Sequence, residues 1–552
     1  MKVLNKPNTL TAAVRTAVLA GACTLGTSAQ ALEFNRGEWL FNVDTTLGYS
    51  AQWRTENRDD GLEANVNGND GNNNFDDGDM TSSKANIILE VGGGKGDFSF
   101  FIRGDAMYDY IYEDGDSSMS RDNYLTYNAG IPAGGNVARG DFPGDTLDEH
   151  GTRVRLLDAF AIYNMNIGEQ YSSIKAGRQI ISWGGSRFWP GINGLQNPND
   201  GAVALAPGVE TKEIFLPTNA LDLKWEINLN WSAEAYYKLE WKETTQPGVG
   251  SYLSTSDVTG PGSERLLLPA PLEHGKADGS DKPDDEGQWG TALRFMTDEG
   301  WNFELAYANS HANLPSVFSY TDFTPYYPAP VEGAPKSFLD EVYVEDIGSW
   351  NFSVSGNISE AEVYADVFYS DDMPFIDTTQ NFIIGDTAFG PQPIGAIVSD
   401  TERDEYWQVT VGMSDVYTAF KWLSPSIALL AEVIYTKNDL GKGDLEDTPY
   451  LVTDDAWGYQ FAITPRYFNV IQGMDVIVPI TFRHDVKGYG NAIALGNGLE
   501  EDQKRAGITV QADYLSNWEF KASYAWYFDE KENLENALID RDNFSISVKY
   551  RF

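Results

Sequence analysis

Cysteine is almost absent from this chain of 552 residues, which contains only Cys23. That residue lies in an N-terminal segment, residues 1–31, with the form of a secretory signal peptide: a basic start, an apolar stretch at Thr16–Leu25 and a small-residue cleavage site at Ala29–Ala31. A lipoprotein signal would carry a large aliphatic residue where Ala20 stands. We therefore predict a mature chain that starts at Leu32 and has no thiol, which excludes disulfides, cysteine nucleophiles and cysteine metal ligands.

Long apolar runs are missing as well. Beyond the signal segment, no run approaches the roughly 18–20 residues that a membrane-spanning helix needs. Positive charge is scarce, with 39 Lys and Arg against 82 Asp and Glu and a formal net charge of −43. This imbalance disfavours nucleic acid and anionic lipid as electrostatic partners. If the chain resides in a membrane, the sequence predicts a barrel rather than a bundle of helices.

Histidine is rare, and this bears on catalysis. His150, His274 and His311 lie in predicted loops, and His484 precedes Asp485 at a predicted strand end. An acyl hydrolase or protease would pair a histidine with serine or aspartate, but adjacent strand residues point to opposite faces of a sheet. The sequence also has no glycine-rich phosphate loop, zinc-ligand spacing or haem attachment motif. We therefore predict that the protein is not an enzyme and has no organic cofactor.

The sequence is rich in two-residue alternation. In the stretch Asn219–Lys242, the apolar Leu221, Leu223 and Trp225 alternate with polar residues, and a second such run follows a break at Asn230. Alternation at this period is typical of strands, and two runs with a minimal connection predict an antiparallel hairpin. Because the hairpin recurs along the chain with aromatic residues at the ends of its apolar face, it favours a closed wall with lipid outside and water inside.

The recurring hairpins predict an all-β fold, a transmembrane antiparallel β-barrel that occupies residues 32–552 as a single domain. We count about 18 strands, with a range of about 16–18. Their connections alternate strictly between short and long, as expected of short periplasmic turns and long extracellular loops. The last strand, Asn543–Phe552, ends on phenylalanine. This ending resembles the signal by which the barrel-assembly machinery recognises outer-membrane clients; an edge strand that happens to end in phenylalanine is the alternative.

The loop Asn57–Asp79 is dense in Asp, Asn and Gly. Oxygen ligands on a glycine-rich backbone suit calcium, although the spacing fits no EF-hand because no Glu stands at the closing position. A solvated outer loop without metal is the simpler interpretation. The weak calcium candidates are Asp70, Asn72, Asp76, Asp77 and Asp79.

The stretch Lys175–Asn199 has a different character. Its strand half loses clean alternation at Ile180 and Ile181, and its loop half is rich in large apolar residues. Left on an outer surface, these would form an exposed apolar patch, so we predict that loop Gly184–Thr218 folds into the barrel mouth as a constriction; a tightly packed loop is the alternative. The residues that we assign to this constriction motif are Arg178, Gln179, Trp183, Phe188, Trp189, Asn197 and Pro198.

The same region carries a resemblance to a known family. The motifs are Gly177-Arg178-Gln179, Ser182-Trp183-Gly184, Gly191-Ile192-Asn193 and Asn197-Pro198, followed by Glu210–Glu213, Leu216-Pro217, Thr255–Asp257 and Asp540–Asp542. Together they resemble the outer-membrane family known as domain of unknown function 1302 (DUF1302), over nearly the whole mature chain. Gly185 departs from the pattern, since relatives more often carry an acidic residue there.

The resemblance implies a transport barrel. Members of the family tend to be encoded beside a periplasmic lipoprotein-sorting-like protein and an RND-type exporter. The implied cargo is apolar: fatty acids, sterols, terpenes or related lipids. The implied partners are a periplasmic lipid carrier and the exporter, in addition to outer-membrane lipid and lipopolysaccharide.

Residues predicted to face the lumen are of two kinds. The basic ones are Arg54, Arg103, Arg153, Arg155, Arg178, Lys224, Lys238, Arg294, Arg466, Arg483 and Arg505. The apolar or aromatic ones are Phe101, Met107, Tyr236, Tyr364, Phe368, Leu430, Ile434 and Tyr527. Since acids face the same way, ion pairs lining a watery lumen are the simplest interpretation of the basic set. The apolar set favours a channel for hydrophobic molecules, although packing of these residues against an inserted loop explains the set almost as well.

Three functions fit these features. The first is passage of hydrophobic or amphiphilic small molecules across the outer membrane of a Gram-negative bacterium. The second is a general porin for small polar solutes. The third is a structural or adhesive envelope protein whose acidic loops meet a partner.

Overall fold

The computed structural model of the protein describes residues 32–63, 65, 67–115, 141–204, 206–263, 265–267, 273–276, 282–322, 336–375, 382–384, 386–387, 390–391, 402–418, 422–440, 452–490, 492–495, 498–528 and 537–552. The predicted signal peptide, with Cys23, lies outside the described residues. No helix in the described part of the chain is long and apolar enough to cross a membrane.

In the described residues, eighteen strands form one closed antiparallel barrel, which confirms the predicted fold. Each strand pairs with the next along the chain, and β1 pairs with β18 to close the sheet. The strands are β1 (Trp39–Arg54), β2 (Met80–Lys95), β3 (Phe98–Asp109), β4 (Thr152–Ile167), β5 (Gln170–Gln179), β6 (Thr218–Glu226), β7 (Trp231–Lys238), β8 (Trp289–Met296), β9 (Asn302–Ser310), β10 (Ile347–Ile358), β11 (Ala361–Phe375), β12 (Glu402–Tyr417), β13 (Ser426–Asn438), β14 (Asp455–Ile471), β15 (Met474–Ile477 continued by Ile480–Lys487), β16 (Lys504–Tyr514), β17 (Trp518–Phe528) and β18 (Asn543–Arg551).

The connections between strands alternate as predicted. Short turns join β2 to β3 at residues 96–97, β4 to β5 at 168–169 and β14 to β15 at 472–473. The long loops lie at the other end, for example residues 55–79, 180–217 and 239–288. Their helices are short: Asp60–Glu63, Asp70–Asn73, Tyr110–Asp114, Gly144–His150, Ile192–Gln196, Gly201–Ala204, Thr211–Ile214 and the 3₁₀ turn Ile493–Leu495.

The two faces of the wall differ in polarity. On β6, Leu221 and Leu223 point outward and stay exposed, whereas Asp222 points inward and is buried. Cross-strand partners share a face, and Leu223 pairs with Ala235 while Asp222 pairs with Tyr236. The same division continues around the barrel, so a band of apolar and aromatic side chains covers the outside. Such a band suits a lipid environment.

A short strand that the sequence did not predict completes the seam. Leu32–Arg36 pairs with the first residues of β1, below the point where the backbones of Thr45 and Phe552 exchange hydrogen bonds of 2.7 and 2.9 Å. Gly37, with φ of +66°, makes the tight turn between them. The strand therefore fills the edge of β1 that β18 is too short to cover.

The two-residue alternation of residues 341–357 predicts a single strand there, and this prediction is wrong at its start. Asp346 adopts a left-handed conformation with φ of +56°, its N–H donates to His311 Nδ1 at 3.0 Å, and β10 begins only at Ile347. Glu341 and Val342 belong instead to a separate loop sheet. Its strands are Arg265–Leu267, Glu273–Lys276, Ser316–Asp322, Lys336–Val342 and Phe382–Ile384.

Long loops beside β1 and β18 pack into a unit that we call the loop cap. Its buried apolar residues are Phe75, Tyr112, Phe142, Val249 and Tyr252. They come from the loops 55–79, 110–151 and 239–288. The cap has a polar centre as well as this apolar cluster.

Arg54, at the end of β1, forms that polar centre. Its guanidinium is fully buried and forms an ion pair of 2.9 Å with Asp540. It also donates to Asn72 Oδ1 at 2.7 Å and to the carbonyl of Phe75 at 3.0 Å. A buried ion pair is costly to break because the remaining partner keeps its charge away from water. Arg54 therefore ties the cap to the barrel.

We expect Arg54→Ala to lower the free energy of unfolding by roughly 1–3 kcal/mol, since the buried carbonyl of Phe75 would lose its donor and Asp540 would keep Arg541 as its guanidinium partner. Arg58→Ala is the matched control, because Arg58 pairs with Asp76 at a more exposed site and such a pair contributes roughly 0–1 kcal/mol. Guanidinium unfolding of the protein in detergent micelles measures both. Equal, small effects of the two substitutions would contradict the role given to Arg54.

Candidate functional site

The loop between β5 and β6, residues 180–217, lies inside the barrel, and we call it the inserted loop. On one side it reaches inward-facing residues of β9, β11 and β13. On the other it reaches inward-facing residues of β4 and β18. Because these strands lie on different sides of the cylinder, the loop crosses the lumen.

Three wall carboxylates hold the first half of the inserted loop by its backbone. Glu304 on β9 accepts from the N–H of Gly184 at 2.9 Å. Asp366 on β11 accepts from the N–H of Gly185 at 2.9 and 3.0 Å. Hydrogen bonds to an ionised acceptor are among the stronger ones in proteins. The loop backbone is therefore fixed by side chains of the wall rather than by a sheet.

Glu432 on β13 makes the most extensive of these contacts. It accepts from the consecutive N–H groups of Arg187, Phe188 and Trp189 at 2.8, 3.1 and 3.1 Å. The hydroxyl of Tyr364 adds a fourth bond of 2.8 Å. The carboxylate is buried, and these donors replace the water it has lost.

Glycines allow the loop backbone to approach the wall this closely. Gly184 has φ of +82°, in the left-handed region that side chains disfavour. At Gly191, an added Cβ would lie 3.0 Å from the Cβ of Phe368. The glycines of this stretch therefore serve the geometry of insertion.

Ion pairs hold the second half of the inserted loop. Asp200 pairs with Arg153 at 3.0 Å and with Arg155. Glu210 pairs with Lys549 of β18 at 2.8 Å and with Arg551 at 3.1 Å. Both halves of the loop are thus fixed to the wall by charged groups.

The apolar residues of the inserted loop form a core with the wall. Trp183, Ile192 and Leu195 are buried in one cluster that includes Tyr236 and Phe368. The rings of Trp183 and Tyr236 lie 5.0 Å apart. The inward-facing Tyr236 and Phe368, which in the sequence favoured a channel for hydrophobic molecules, are therefore covered by the loop. Ile434 is covered in the same way beside Trp189. For these residues, the structure favours packing against the loop over contact with cargo.

The remaining motif residues shape the ends of the inserted loop. Gln179 is buried and donates to the carbonyl of Ala220 at 2.9 Å. Asn197 accepts from the N–H of Ile181 at 3.2 Å. The carbonyl of Pro198 accepts from the N–H of Leu216 at 2.9 Å, which brings the two ends of the loop together.

The prediction that Arg178 faces the lumen is wrong. Arg178 pairs in register with Ala159 and Asn219, on the outward face that also carries Leu221. Its guanidinium pairs with Glu240 at 2.8 Å. Gly177 is the residue that faces inward at this point. The sequence motif alone could not show which of the two faces inward, because that depends on how the strand pairs with its neighbours.

Most of the predicted lumen-facing basic residues are in ion pairs. Arg103 pairs with Asp158 at 2.5 Å, and Arg155 pairs with Asp105 at 2.6 Å. The other pairs are Lys224 with Glu234, Arg294 with Glu234 and Glu304, and Arg483 with Asp485; Lys238 donates to the carbonyl of Gln196, and Arg466 lies over the ring of Phe468. The lumen therefore has a paired network rather than a free basic surface.

Sequence reasoning did not single out Asp366 and Glu432. The pairing of the strands contains a signal for them, because neither acid has a basic residue opposite it. Asp366 pairs with Ser353 and Thr410, and Glu432 pairs with Gly412 and Gln460. Inward acids without a basic cross-strand neighbour need donors from elsewhere, and here the inserted loop supplies them.

Three of the calcium candidates, Asn72, Asp76 and Asp79, have protein partners for their side-chain oxygens. Asn72 Oδ1 accepts from Arg54 and Arg541, and Asp76 pairs with Arg58 at 2.6 Å. The carboxylate of Asp79 accepts from the N–H of Asp76 at 2.8 Å. Within the described residues, no three His, Cys, Asp or Glu side chains converge as a metal site would need. Calcium binding in this loop stays a prediction.

Asp70 takes part in a carboxyl pair inside the loop cap. Asp257 accepts from the N–H groups of Asn69 at 2.9 Å and Asp70 at 3.2 Å. Burial, together with the neighbouring Asp70 carboxylate, raises the pKa of Asp257 to about 8. A carboxyl pKa that is raised in the folded state gives stability that is present below the unfolded pKa, about 3.9, and lost as pH rises through the folded value.

We therefore expect the loop cap to become more open to protease as pH rises from about 4 to 8, because only the folded state keeps Asp257 protonated in this window, and holding that proton costs more free energy as pH rises. Limited proteolysis of the folded protein at pH 5 and pH 9 measures the change. Asp257→Asn should flatten the pH response, whereas Asp76→Asn, at an exposed carboxylate of the same cap, should preserve it. Equal cleavage of the native protein at both pH values would refute the assignment.

The anchor at Glu432 gives a second prediction. In Glu432→Gln, one oxygen remains for three backbone donors, so at least one bond of roughly 1.5–3 kcal/mol is lost. The amides of residues 187–189 should then exchange hydrogen at least about tenfold faster, since 1.4 kcal/mol corresponds to a factor of ten. Hydrogen–deuterium exchange with mass spectrometry measures this. Asp513→Asn is the control, because Asp513 faces the lumen and bonds Gln511 instead of the loop; unchanged exchange in Glu432→Gln would contradict the anchor.

Known proteins resemble the chain in sequence and in fold. The family described as "Protein of unknown function (DUF1302)" matches residues 12–552. No curated protein matches the chain.

Among solved structures, OccAB1 of Acinetobacter baumannii is 10% identical, with a TM-score of 0.45, over 95% of this chain and 98% of that one. OccAB4 of the same organism is 10% identical, with a TM-score of 0.43, over 95% and 100%. OccK2 (OpdF) of Pseudomonas aeruginosa, solved in complex with glucuronate, is 10% identical, with a TM-score of 0.41, over 93% and 98%. At TM-scores below 0.5, we draw no inference about this chain from them.

Proposed function

The chain belongs to the DUF1302 family, and from this premise we propose that it is a channel of the Gram-negative outer membrane for small hydrophobic or amphiphilic molecules. The observation that carries the proposal is the inserted loop, which crosses the lumen and is fixed on both sides. Such a loop narrows the barrel to a selective passage. A wide aqueous pore has no need of it.

The outer surface supports the membrane location. Trp225, Trp231, Trp289, Trp350 and Trp407 are exposed on the outside of the barrel with many leucines, valines and isoleucines. Water would make such a surface prone to association, whereas lipid accommodates it at no cost. Aromatic residues at the edges of the band fit the boundary between hydrocarbon and headgroups.

Accessible aromatic surface inside the barrel supports an amphiphilic cargo. Phe101 and Phe160 pair across β3 and β4 on the inward face, with ring centroids 5.7 Å apart. The ammonium of Lys175 lies 4.1 Å from the centre of the Phe160 ring. These residues stay partly exposed below the inserted loop. Aromatic rings beside a cation can contact both parts of an amphiphile.

A cavity of about 780 Å³ lies below the tip of the inserted loop and adds to this support. Gly184 and Gly185 form its upper boundary, and Ser232, Ser353 and Arg294 contribute polar groups. Its volume is within the range of small-molecule sites. In the proposed channel, this cavity is the space that cargo occupies on the short-turn side of the constriction.

The proposal includes partners for the two ends of the passage. A periplasmic lipid carrier and an RND-type exporter would meet the short-turn end, and lipopolysaccharide would surround the long-loop end. The barrel-assembly machinery would insert the chain, with the terminal Phe552 as part of its signal. These partners rest on the family resemblance and on the orientation of the loops.

A porin for small polar solutes is the second candidate. It is favoured by the accessible charged groups of the lower lumen, such as Lys224, whose side chain is 56% exposed near Glu234. A polar solute would find hydrated, paired charges there. The two candidate functions differ in the solutes that the channel transports and in how its conductance would change when the inserted loop is released.

Planar bilayers and proteoliposomes separate these candidates. For the amphiphile channel, we expect low conductance in KCl, uptake of dodecanoate and exclusion of glucose. Releasing the loop with Asp366→Asn and Glu432→Gln together should raise the conductance several-fold and admit glucose, because four of the backbone anchors lose a charged acceptor. Asp513→Asn should behave as the native protein. Steady native conductance with glucose uptake and no dodecanoate uptake would overturn the proposed cargo in favour of the porin.

A further inference from the structure

The inserted loop covers the lumen wall unevenly. On β7 to β13, the inward residues at the level of the loop are buried beneath it: Tyr236, Ala292, Ala306, Asn351, Asp366, Phe368, Gln408, Thr410 and Glu432. On β14 to β17, the inward residues remain partly accessible: Gln460, Ala462, Thr481, Arg483, Gly507, Thr509, Ser523 and Ala525. We call this accessible set the open sector. The space that the loop leaves in the barrel therefore lies along β14 to β17.

The open sector has small, uncharged side chains below its rim. Gly507 pairs with Ala525 and Thr481, and Thr509 pairs with Ser523. The hydroxyls of Thr509 and Ser523 lie 2.9 Å apart. Small side chains leave room at the wall, and hydroxyls can accept or donate to a passing solute.

Two arginines mark the upper end of the open sector. One inward row runs across the strands through Glu432, Gln460, Arg483, Arg505 and Tyr527. Glu432 anchors the inserted loop, and the guanidinium of Arg483 lies 5.3 Å from the ring centre of Trp189 in that loop. The row therefore stands at the level of the constriction, with Arg505 on the side that the loop leaves open.

Arg483 and Arg505 differ in how their charges are compensated. Arg483 makes two hydrogen bonds to Asp485, at 2.8 and 2.7 Å. Arg505 makes no ion pair among the described residues; its Nη2 donates to Gln503, and its Nε is buried without an acceptor. The nearby Glu500 carboxylate accepts from Gln503 at 2.5 Å instead.

An unpaired guanidinium opposite a second arginine is unfavourable. Like charges that face each other across neighbouring strands destabilise a sheet, and a buried donor without an acceptor is unfavourable as well. The ring of Tyr527, 5.9 Å from the guanidinium, offers only a weak cation–π contact. An anion beside the accessible part of the guanidinium would compensate the charges of the two arginines.

We propose that Arg505, with Arg483 and Tyr527 beside it, is a binding site for the carboxylate of a small molecule that passes along the open sector. The inference rests on the proposed channel function and deepens it by naming the charged group of the cargo. A guanidinium presents planar donors that match a carboxylate. The small side chains below Arg505 accommodate the rest of the molecule.

Current block by sodium octanoate in planar bilayers tests this site. We expect octanoate to block the native channel, and Arg505→Gln to weaken the apparent affinity at least tenfold. Arg505→Lys should retain part of the affinity, because it keeps the charge and loses the planar donors. Arg466→Gln is the matched control, since Arg466 faces the lumen from β14 nearer the short turns and should change the affinity less than twofold. 1-Octanol, without the charge, should act alike on all variants.

The outcomes separate the site from the channel. If both the native protein and Arg505→Gln conduct, and octanoate blocks both with equal affinity, the anion site is overturned and the proposed channel is not. Absence of conductance and of octanoate uptake, even after the loop is released by Asp366→Asn with Glu432→Gln, would overturn the proposed channel itself. If circular dichroism shows that Arg505→Gln does not fold, Arg505→Lys decides: native affinity in that variant would overturn the role of the planar guanidinium.

Discussion

Every backbone N–H removed from water needs an acceptor, and this constraint governs both the wall and the loop of this protein. The wall meets it by closure, because β1 pairs with β18 and so joins the first and last strands of the cylinder. The inserted loop has no neighbouring strand along most of its length. Glu304, Asp366 and Glu432 supply acceptors to its amides instead. The barrel can therefore hold irregular backbone in its interior at the cost of burying Asp366 and Glu432 and partly burying Glu304.

Ion pairs between the inserted loop and the wall explain how a chain with a strong net negative charge keeps a stable interior. Asp200 and Glu210 of the inserted loop pair with basic residues of β4 and β18, so charge on one part compensates charge on another. Where compensation is complete, as at Arg155 with Asp105 and Asp200, the group is structural. Where it is incomplete, as at Arg505, a ligand can complete it. The same electrostatic rule thus distinguishes a residue that holds the fold from one that can recognise cargo.

Apolar residues that face inward illustrate why pattern alone does not assign function. Tyr236 and Phe368 are buried against Trp183 and Leu195 of the inserted loop, whereas Phe101 and Phe160 remain accessible below it. All four occupy inward positions of the alternation and look equivalent in the sequence. The path of the loop across the lumen separates them, and only the second pair can contact a passing molecule.

The sequence by itself determined the cylinder: alternation such as that of Leu221, Asp222 and Leu223 identifies strands and faces, and short and long connections order them, because both are local properties of the chain. It also indicated that the stretch after Gln179 folds inward, since its large apolar side chains need burial. Only the tertiary structure decided that Arg178 faces outward, that Glu432 holds Trp189, and that Arg505 has no carboxylate partner in the described part of the chain. These facts depend on contacts between residues far apart in the chain, which no local period encodes.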